Sequence, residues 1–299
     1  MQELWQVLDL SAAHCNLRSE RGAVVVTAEG KDPVRISVSD LACVLLGMHV
    51  RLSGAVLHRL MQEGTAVLLC DWRGVPEGGA YSWRDHSRIA ARRRAQGTLS
   101  LPRQKNAWKI IVREKIYNQA IALEAIGEES RYLLNLMRKV RSGDSENIEG
   151  RAAQYYWKKI FGPSFTRNAG SRAGINGLLD YAYTIARGHA IRAVLAAGLE
   201  PSFGVFHRHR ENMFCLADDI IEIVRPAVDL GVWNLIEAGA VDVVDCRAEL
   251  VAIAAGTFSP EGYTIPSVLE RVAKSFGQYA EDDEAEFEIP SWKPCCGET

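Results

Sequence analysis

The hydrophobic pattern of this chain changes once along its length, and the change constrains the fold more than any other feature. Up to about Asp71, the apolar residues form short runs rich in valine, isoleucine and leucine, separated by turn formers such as Gly30 and Pro33. Such runs are typical of β-strands. From about residue 81 onward, apolar residues recur every three or four positions, which is typical of helices that bury one face. The sequence therefore predicts an α+β chain, with a small β-rich N-terminal domain followed by a larger all-α domain.

Four segments follow from this pattern. The chain has 299 residues, and single cores rarely grow beyond about 250 residues, so two domains are expected. We place the β-rich domain at residues 1–73, a linker rich in glycine at 74–80, the helical domain at 81–280 and an acidic, flexible tail at 281–299. The tail is alternatively a contact for a basic partner. One helix is expected inside the first domain, capped by Ser53 and ended by Gly64.

Composition narrows the class of protein only slightly. The hydrophobic share of 47% and the charged share of 24% are ordinary for a globular protein. The start of the chain has no basic and apolar leader pattern, and no apolar run approaches the length of a membrane span, so we expect a cytoplasmic protein. Seven cysteines occur without a C-x-x-C pair, which favours reduced core residues over disulfides or a zinc site.

One stretch of the helical part is strongly basic. Between Arg84 and Lys115, ten Lys or Arg residues stand against two acidic residues, a local balance of +8, although the whole chain has a net charge of −2. A charge run of this kind is often only a solvated helix face. It is also the kind of surface that binds the phosphates of a polyanion such as DNA, and the residues leave both interpretations open.

A glutamate on a close-packed helix face is a second candidate. In the segment NIEGRAAQYYW, Glu149 shares a helical face with Ala152 and Tyr156. Small alanines let another helix approach closely, so a glutamate on this face loses water and requires a partner. The alternative is an exposed glutamate at a frayed helix start beside Gly150.

The segment from Pro201 to Asp229 combines imidazoles with carboxylates. Two histidines stand in its first part, and three carboxylates follow within two helical turns beside an apolar stripe: His207, His209, Asp218, Asp219 and Glu222. At an effective dielectric of about 20, two like charges about 4 Å apart cost about 4 kcal/mol, so a cation is expected nearby. Imidazole together with carboxylates suits a divalent ion such as manganese or magnesium. A solvated acidic helix face with exposed histidines is the alternative.

Three separated motifs stand in a fixed order in the helical part. They are IEGRAAQYYW around Glu149, RAGINGLLDYAYTIAR around Asn176, and GLEPSFGVFHRHRENMFCLADDIIEIVRP around His207 and Glu222. Together they resemble the CRISPR-associated spacer-acquisition integrases, the Cas-one family, and within it the type II branch. In the first domain, VRLSGAVLHRLMQEGTAVLLCD resembles the helix that precedes the last strand of the family's β-rich domain.

The resemblance implies a metal-dependent DNA endonuclease and integrase. It implies Glu149, His207 and Glu222 as catalytic residues and as ligands of Mg²⁺ or Mn²⁺, with Asp219, one turn earlier, as a supporting or alternative ligand. The reaction would insert a DNA fragment into a CRISPR repeat by attack of a 3′-hydroxyl on a phosphodiester. The resemblance further implies a homodimer, with the β-rich domain as the dimerisation domain, and a small ferredoxin-like companion, Cas-two. This chain reads EIVRP where the family usually has EPFRP, a departure expected to alter helix packing rather than chemistry.

If the resemblance holds, double-stranded DNA would be bound mainly through its phosphates. The basic side chains expected to contact it are Arg84, Arg88, Arg92, Arg93, Arg94, Lys105, Lys109, Arg138, Arg141, Lys158, Lys159 and Arg167.

Two other classes of protein fit parts of the pattern. A DNA-binding scaffold without chemistry would use the basic residues but would not require Glu149 or His207. A metal-dependent phosphohydrolase acting on small substrates would require those ligands but no extended basic face. The basic stretch from Arg84 to Lys115, with its ten Lys or Arg residues, makes this last class the weaker alternative.

Overall fold

The structure, a computed structural model, describes residues 6–72, 76–82, 87–171, 173–259 and 261–294. The chain divides into two compact units, Met1–Ile89 and Ala90–Thr299. The first unit contains the β-strands and the second is helical, which confirms the predicted α+β class.

Two four-stranded sheets form the first unit. One has the spatial order β1 (Gln6–Leu10), β5 (Leu41–Leu46), β7 (Ala66–Cys70) and β8 (Pro76–Ala80), parallel except for β8. The other has the order β4 (Val34–Ser37), β3 (Ala23–Thr27), β2 (Cys15–Glu20) and β6 (Val50–Leu52), antiparallel except for the β2–β6 pair. Helix α1 (Gly54–Gln62) confirms the predicted helix of this unit. Residues of both sheets and of α1 share one core, which explains why β5 is buried at every position.

The glycines of the expected linker belong to a strand. Within residues 74–80, Gly78 and Gly79 lie in β8 and pair with Leu69 and Leu68 of β7. A Cβ at Gly79 would lie 2.6 Å from the carbonyl oxygen of Val67, so only glycine fits this close strand contact. The compact units divide nine residues later than the expected linker ends, after Ile89.

In the described residues, nine α-helices follow β8. The first begins at Ile89, the last residue of the first unit, and the others lie in the second unit. The nine helices are α2 (Ile89–Gly97), α3 (Leu101–Ala125), α4 (Arg131–Lys139), α5 (Ile148–Ile160), α6 (Gly174–Ala196), α7 (Cys215–Ile221), α8 (Arg225–Glu237), α9 (Arg247–Ala254) and α10 (Ile265–Glu281). Helix α3 packs against α4, α5 and α8, and α6 packs against α7, α8, α9 and α10. The two longest helices, α3 and α6, therefore organise the core and position the shorter helices that carry the candidate site.

The acidic tail packs on the second unit as far as the structure describes it, through Pro294. Phe287 is 5% exposed and Trp292 is 3% exposed. The guanidinium of Arg103, on α3, donates hydrogen bonds of 2.8 Å and 2.6 Å to the carbonyl oxygens of Asp282 and Asp283. The expectation of a flexible tail is corrected for this part, because two apolar side chains and one arginine hold it. Residues 295–299 lie outside the described residues.

The cysteines of the described part are buried and form no disulfide with one another: Cys15, Cys43, Cys70, Cys215 and Cys246. This agrees with the expectation of reduced core residues; Cys295 and Cys296 lie outside the described residues. In the same part of the chain, no helix combines the length and the apolar character that a membrane span requires.

Candidate metal centre

The first turn of α5 fixes the position of Glu149. Asn147 adopts the left-handed conformation (φ 49°), and its side chain accepts a hydrogen bond from the backbone N–H of Gly150. The carboxylate of Asp144 accepts hydrogen bonds of 2.9 Å from the N–H groups of Ile148 and Glu149. Because these N–H groups have no partner inside the helix, the caps hold the helix start and the glutamate with it.

Lys115, on α3, joins Glu149 to Glu222. Its ammonium donates a hydrogen bond to Oε1 of Glu149 and lies 2.5 Å from Oε2 of Glu222. The side chain of Lys115 is 10% exposed and that of Glu222 only 4%. Burial alone would lower the pKa of Lys115, but the two glutamates outweigh burial and raise this pKa above its ordinary value. The two carboxylates therefore share one buried positive charge.

Glu222 has a second cationic partner, Arg225, whose Nη1 lies 2.8 Å from Oε1 of Glu222. Burial would raise the pKa of Glu222, but Arg225 and Lys115 outweigh it and hold this pKa below its usual range. Glu222 follows the last residue of α7, and Arg225 begins α8. Helix α7 ends before this point, and Pro226, in the first turn of α8, has no N–H with which to continue it.

Asp219 fixes the backbone and the ring of His207. Its buried carboxylate accepts hydrogen bonds from the N–H groups of Val205 (2.5 Å), Phe206 (3.1 Å) and His207 (3.1 Å). It also lies 2.7 Å from Nδ1 of His207. This last bond raises the pKa of His207. Burial raises the pKa of Asp219, and the hydrogen bonds donated to it oppose that rise. All this makes Asp219 the residue that orients the imidazole.

The three expected ligands are brought together only in part. Glu149 and Glu222 meet at Lys115, and His207 interacts electrostatically with Glu222 while its ring is bonded to Asp219. Among the residues that the structure describes, no three His, Cys, Asp or Glu side chains lie close enough together to hold a metal ion. The two glutamates of the expected ligand set thus meet at the chain's own Lys115, and the third ligand, His207, is held by Asp219.

The chemistry of the donors nevertheless fits a divalent cation. Oε2 of Glu222 is buried and receives no well-directed hydrogen bond, although the Lys115 ammonium lies 2.5 Å away. Nδ1 of His207 is bonded to a carboxylate, so Nε2 is the ring nitrogen that would be available to a metal ion, an arrangement common for metal-bound histidines. Two carboxylates and one imidazole suit manganese, and they suit magnesium if the imidazole binds weakly.

The other candidates of the acidic segment have different roles. His209 is exposed, and its Nδ1 accepts a 3.4 Å hydrogen bond from the N–H of Glu211 rather than bonding to a carboxylate. Asp218 pairs with Arg187 at 2.5 Å and accepts a hydrogen bond from Asn212 at 2.6 Å. Of the two histidines, His207 is therefore the one that the fold directs to the site.

The basic side chains fall into exposed and structural groups. The exposed ones are Arg88, Arg94, Lys105, Arg138, Arg141 and Lys158, and the half-buried ones are Arg93, Lys109 and Lys159. Arg84 lies outside the described residues.

Two of the arginines expected to contact DNA are engaged within the fold. Arg92 is 5% exposed and donates hydrogen bonds of 3.0 Å to Glu281 and 2.7 Å to the carbonyl oxygen of Ala197, so it is a core residue. Arg167 is ion-paired with Asp180, and its side chain is 16% exposed. Both arginines thus have acidic partners within the fold.

Sequence reasoning missed Lys115 as a site residue, because it counted this lysine only within the basic stretch. A signal was present. Trp108, Ile111, Val112 and Ile116 form one buried stripe of α3, and Lys115 lies in that stripe, seven residues after Trp108. A lysine on a buried face requires an acidic partner, which the stripe alone could have indicated.

A second buried network lies beyond Arg225. The carboxylate of Asp229 accepts hydrogen bonds from the hydroxyls of Tyr183 and Tyr156, the latter at 3.0 Å. The guanidinium of Arg225 lies 4.9 Å from the ring centre of Tyr183. Arg225 therefore contacts both Glu222 and Tyr183, one of the two tyrosines bonded to Asp229.

The sequence of this chain matches a known protein family over most of its length. A family model described as CRISPR associated protein Cas1 matches residues 10–255. The chain belongs to the Cas1 family. A Cas1 relative, the CRISPR-associated endonuclease Cas1 of Neisseria meningitidis serogroup C (strain 8013), is 33% identical over 226 residues, which cover 75% of this chain and 73% of the relative.

Solved structures share the Cas1 fold across nearly the whole chain. A casposase bound to an integration product superposes with a TM-score of 0.77 at 18% identity, covering 96% of this chain and 94% of the casposase. A CAS1 protein from Thermotoga maritima gives 0.74 at 16% identity, covering 96% and 100%. A chain of a Cas6-RT-Cas1–Cas2 complex gives a TM-score of 0.74 at 19% identity, covering 97% of this chain and 36% of that one.

Proposed function

We propose that this chain is a metal-dependent DNA integrase and endonuclease that inserts short DNA fragments into a CRISPR repeat array. The observation that carries the proposal is the pair of carboxylates, Glu149 and Glu222, that converge on one buried cation beside the Asp219-bound His207. The names of the Cas1 relatives, an endonuclease and a casposase bound to an integration product, support this choice of reaction.

The proposed reaction is a transesterification. The 3′-oxygen of the captured fragment forms a new bond to a phosphorus at the repeat edge, and the 3′-oxygen of the repeat strand leaves. One ester bond replaces another, so neither a protein nucleophile nor an energy-rich cofactor is needed. A second attack on the opposite strand completes the insertion.

Glu149, His207 and Glu222 would hold a Mg²⁺ or Mn²⁺ ion. When bound, this ion supplies polarisation of the phosphoryl oxygen and stabilisation of charge on the attacking or leaving oxygen. Asp219 keeps the His207 ring oriented through Nδ1, in a supporting role, because its oxygens already accept bonds from the backbone and the ring. Arg225 keeps Glu222 ionised.

The exposed basic side chains of the helical unit, such as Lys105, Arg138 and Lys158, would contact DNA phosphates. We also propose a homodimer formed through the β-rich unit, a small ferredoxin-like Cas-two companion, and CRISPR adaptation in the cytoplasm as the setting. The solved complex that contains Cas1 and Cas2 parts supports the choice of companion.

The test uses an integration assay with supercoiled plasmid, a short DNA fragment and Mn²⁺. His207→Ala and Glu149→Ala should each bind DNA as the wild-type chain does but join strands at least about a hundredfold more slowly, since even residues behind a metal ligand affect activity about 10- to 100-fold. His209→Ala is the matched control and should join normally, because His209 is exposed and its Nδ1 accepts a hydrogen bond from the N–H of Glu211. A chelator should stop the wild-type reaction. Normal joining by the His207 and Glu149 variants would refute these residues as the site. A wild-type chain that binds DNA but joins no strands would instead be a DNA-binding scaffold.

A further inference from the structure

Lys115 stands where a metal ion would meet Glu149 and Glu222, and no part of the proposed reaction uses it. We propose that Lys115 is an internal cation that competes with the divalent ion for these two carboxylates and thereby sets the affinity of the site for metal. The inference rests on the proposed function in one respect, since it takes Glu149 and Glu222 as metal ligands.

Distances make the two cations alternatives. The ammonium nitrogen lies 2.5 Å from Oε2 of Glu222 and is hydrogen-bonded to Oε1 of Glu149. Magnesium and similar ions bind carboxylate oxygens at about 2.0 to 2.1 Å. An ion bound to both carboxylates would therefore lie within the space that the ammonium occupies, and Lys115 has to withdraw for that ion to be seated. Its four-carbon stem, with several rotatable bonds, permits that withdrawal.

The charges of the site also indicate that Lys115 and a divalent ion are alternatives. Glu149 and Glu222 carry two negative charges, and Lys115 and Arg225 carry two positive charges, so this buried group is balanced without an ion. Affinity for a divalent cation rises with the net negative charge of the ligands. Removing the lysine charge leaves one uncompensated carboxylate, and the site should then attract Mn²⁺ more strongly.

A lysine with a purely structural role behaves differently. If Lys115 only holds the two carboxylates in place, its loss should loosen the site and leave Mn²⁺ affinity unchanged or lower. Metal affinity therefore separates the two roles, whereas loss of stability or of strand joining would not.

The experiment measures Mn²⁺ binding by isothermal titration calorimetry on the full chain. Lys115→Met should bind Mn²⁺ at least about tenfold more tightly than the wild type, a gain of about 1.4 kcal/mol. Lys115→Arg keeps the positive charge and should bind Mn²⁺ about as weakly as the wild type. Lys109→Met removes a half-buried lysine from the same helix, outside the carboxylate pair, and should change the affinity by less than about threefold because a more distant charge is screened.

A second readout is thermal unfolding without metal. Lys115→Met should melt below the wild type, because Glu149 and Glu222 then repel each other, and saturating Mn²⁺ should raise its melting temperature more than that of the wild type. If Lys115→Met does not fold without metal, Lys115→Gln takes its place, because glutamine can still donate a hydrogen bond but has no charge.

The outcomes separate this inference from the proposed function. Equal or weaker Mn²⁺ binding by a folded Lys115→Met chain overturns the competition and leaves the metal-dependent integrase intact. If neither the wild type nor Lys115→Met binds Mn²⁺, both proposals fall. Binding by Lys115→Met that is tighter than wild type, including binding seen in the variant alone, supports the competition.

Discussion

The carboxyl group of Asp229 links the stability of the helical unit to pH. Burial raises its pKa to about 7, against the opposing effect of the two tyrosine hydroxyls and Arg225. In an unfolded chain an aspartate has a pKa of about 3.9. The folded chain therefore binds this proton more tightly. The stabilisation is complete below about pH 4 and is lost as the pH rises to about 7.

Asp229→Asn removes this titration and serves as the test. The free energy of unfolding of the wild type, relative to that of the variant, should fall by about 3 kcal/mol between pH 5 and pH 8, since about two pKa units are titrated in this range at about 1.4 kcal/mol each. Urea unfolding of both proteins at the two pH values measures the difference. Parallel pH profiles of the two proteins would contradict the assignment.

At the scale of single residues, the sequence predicted the need for partners better than it predicted the partners. The close-packed face of Glu149 predicted a buried, paired carboxylate, and the structure pairs it with Lys115. The identity of that partner could not be predicted, because it depends on how α3 lies against α5. Asp219 was expected as a supporting or alternative ligand. The sequence could not show that the loop before α7 brings three N–H groups onto its carboxylate.

At the scale of elements, the loop that carries His207 depends on the absence of a side chain at Gly204. A Cβ at this position would lie 2.3 Å from the carbonyl oxygen of His207, 2.8 Å from Cβ of Cys215 and 2.9 Å from Oδ2 of Asp219. These atoms belong to the backbone or to short side chains and cannot move aside cheaply. The close approach of this loop to α7 thus requires glycine.

Gly204→Ala should therefore lower the free energy of unfolding by about 2 to 3 kcal/mol, a cost typical of overpacking, and should slow strand joining by displacing His207. Gly54→Ala, at the start of α1, is the control, because a Cβ there meets no atom within 4 Å. Denaturant titration and the integration assay measure both effects. A Gly204→Ala chain as stable and as active as Gly54→Ala would show that the loop adapts.

Element boundaries were predictable where apolar periodicity is strong and less so where composition was the only guide. The helix between Ser53 and Gly64 follows from its apolar stripe and is present as α1. The glycines at 78 and 79 suggested a linker, but they pair with β7, where small residues permit close backbone contact. In the acidic tail, Phe287 and Trp292 outweigh the surrounding charges, since two buried aromatic rings contribute several kcal/mol.

At the scale of the whole molecule, exposed basic residues of the helical unit should govern DNA affinity. Lys105→Ala and Lys158→Ala should each weaken binding to unrelated DNA sequences alike, and each should reduce the slope of log K against log salt by about 1. Arg92→Met provides the contrast: it should destabilise the fold, because Arg92 is 5% exposed and bonded to Ala197, just after α6, and to Glu281 of α10. Fluorescence anisotropy at several salt concentrations measures the slopes. Unchanged slopes in both lysine variants would remove these side chains from the DNA surface.

The clasp between Arg103 and the tail has a consequence for the path of a bound duplex. Arg103 holds the carbonyls of Asp282 and Asp283 beside the first turn of α3. The exposed acidic side chains of this part of the tail are therefore held near that turn. Stationary negative charge repels phosphates at one defined place. A DNA duplex bound along α3 would be repelled at this end of the helix, so the tail would limit where the duplex can lie.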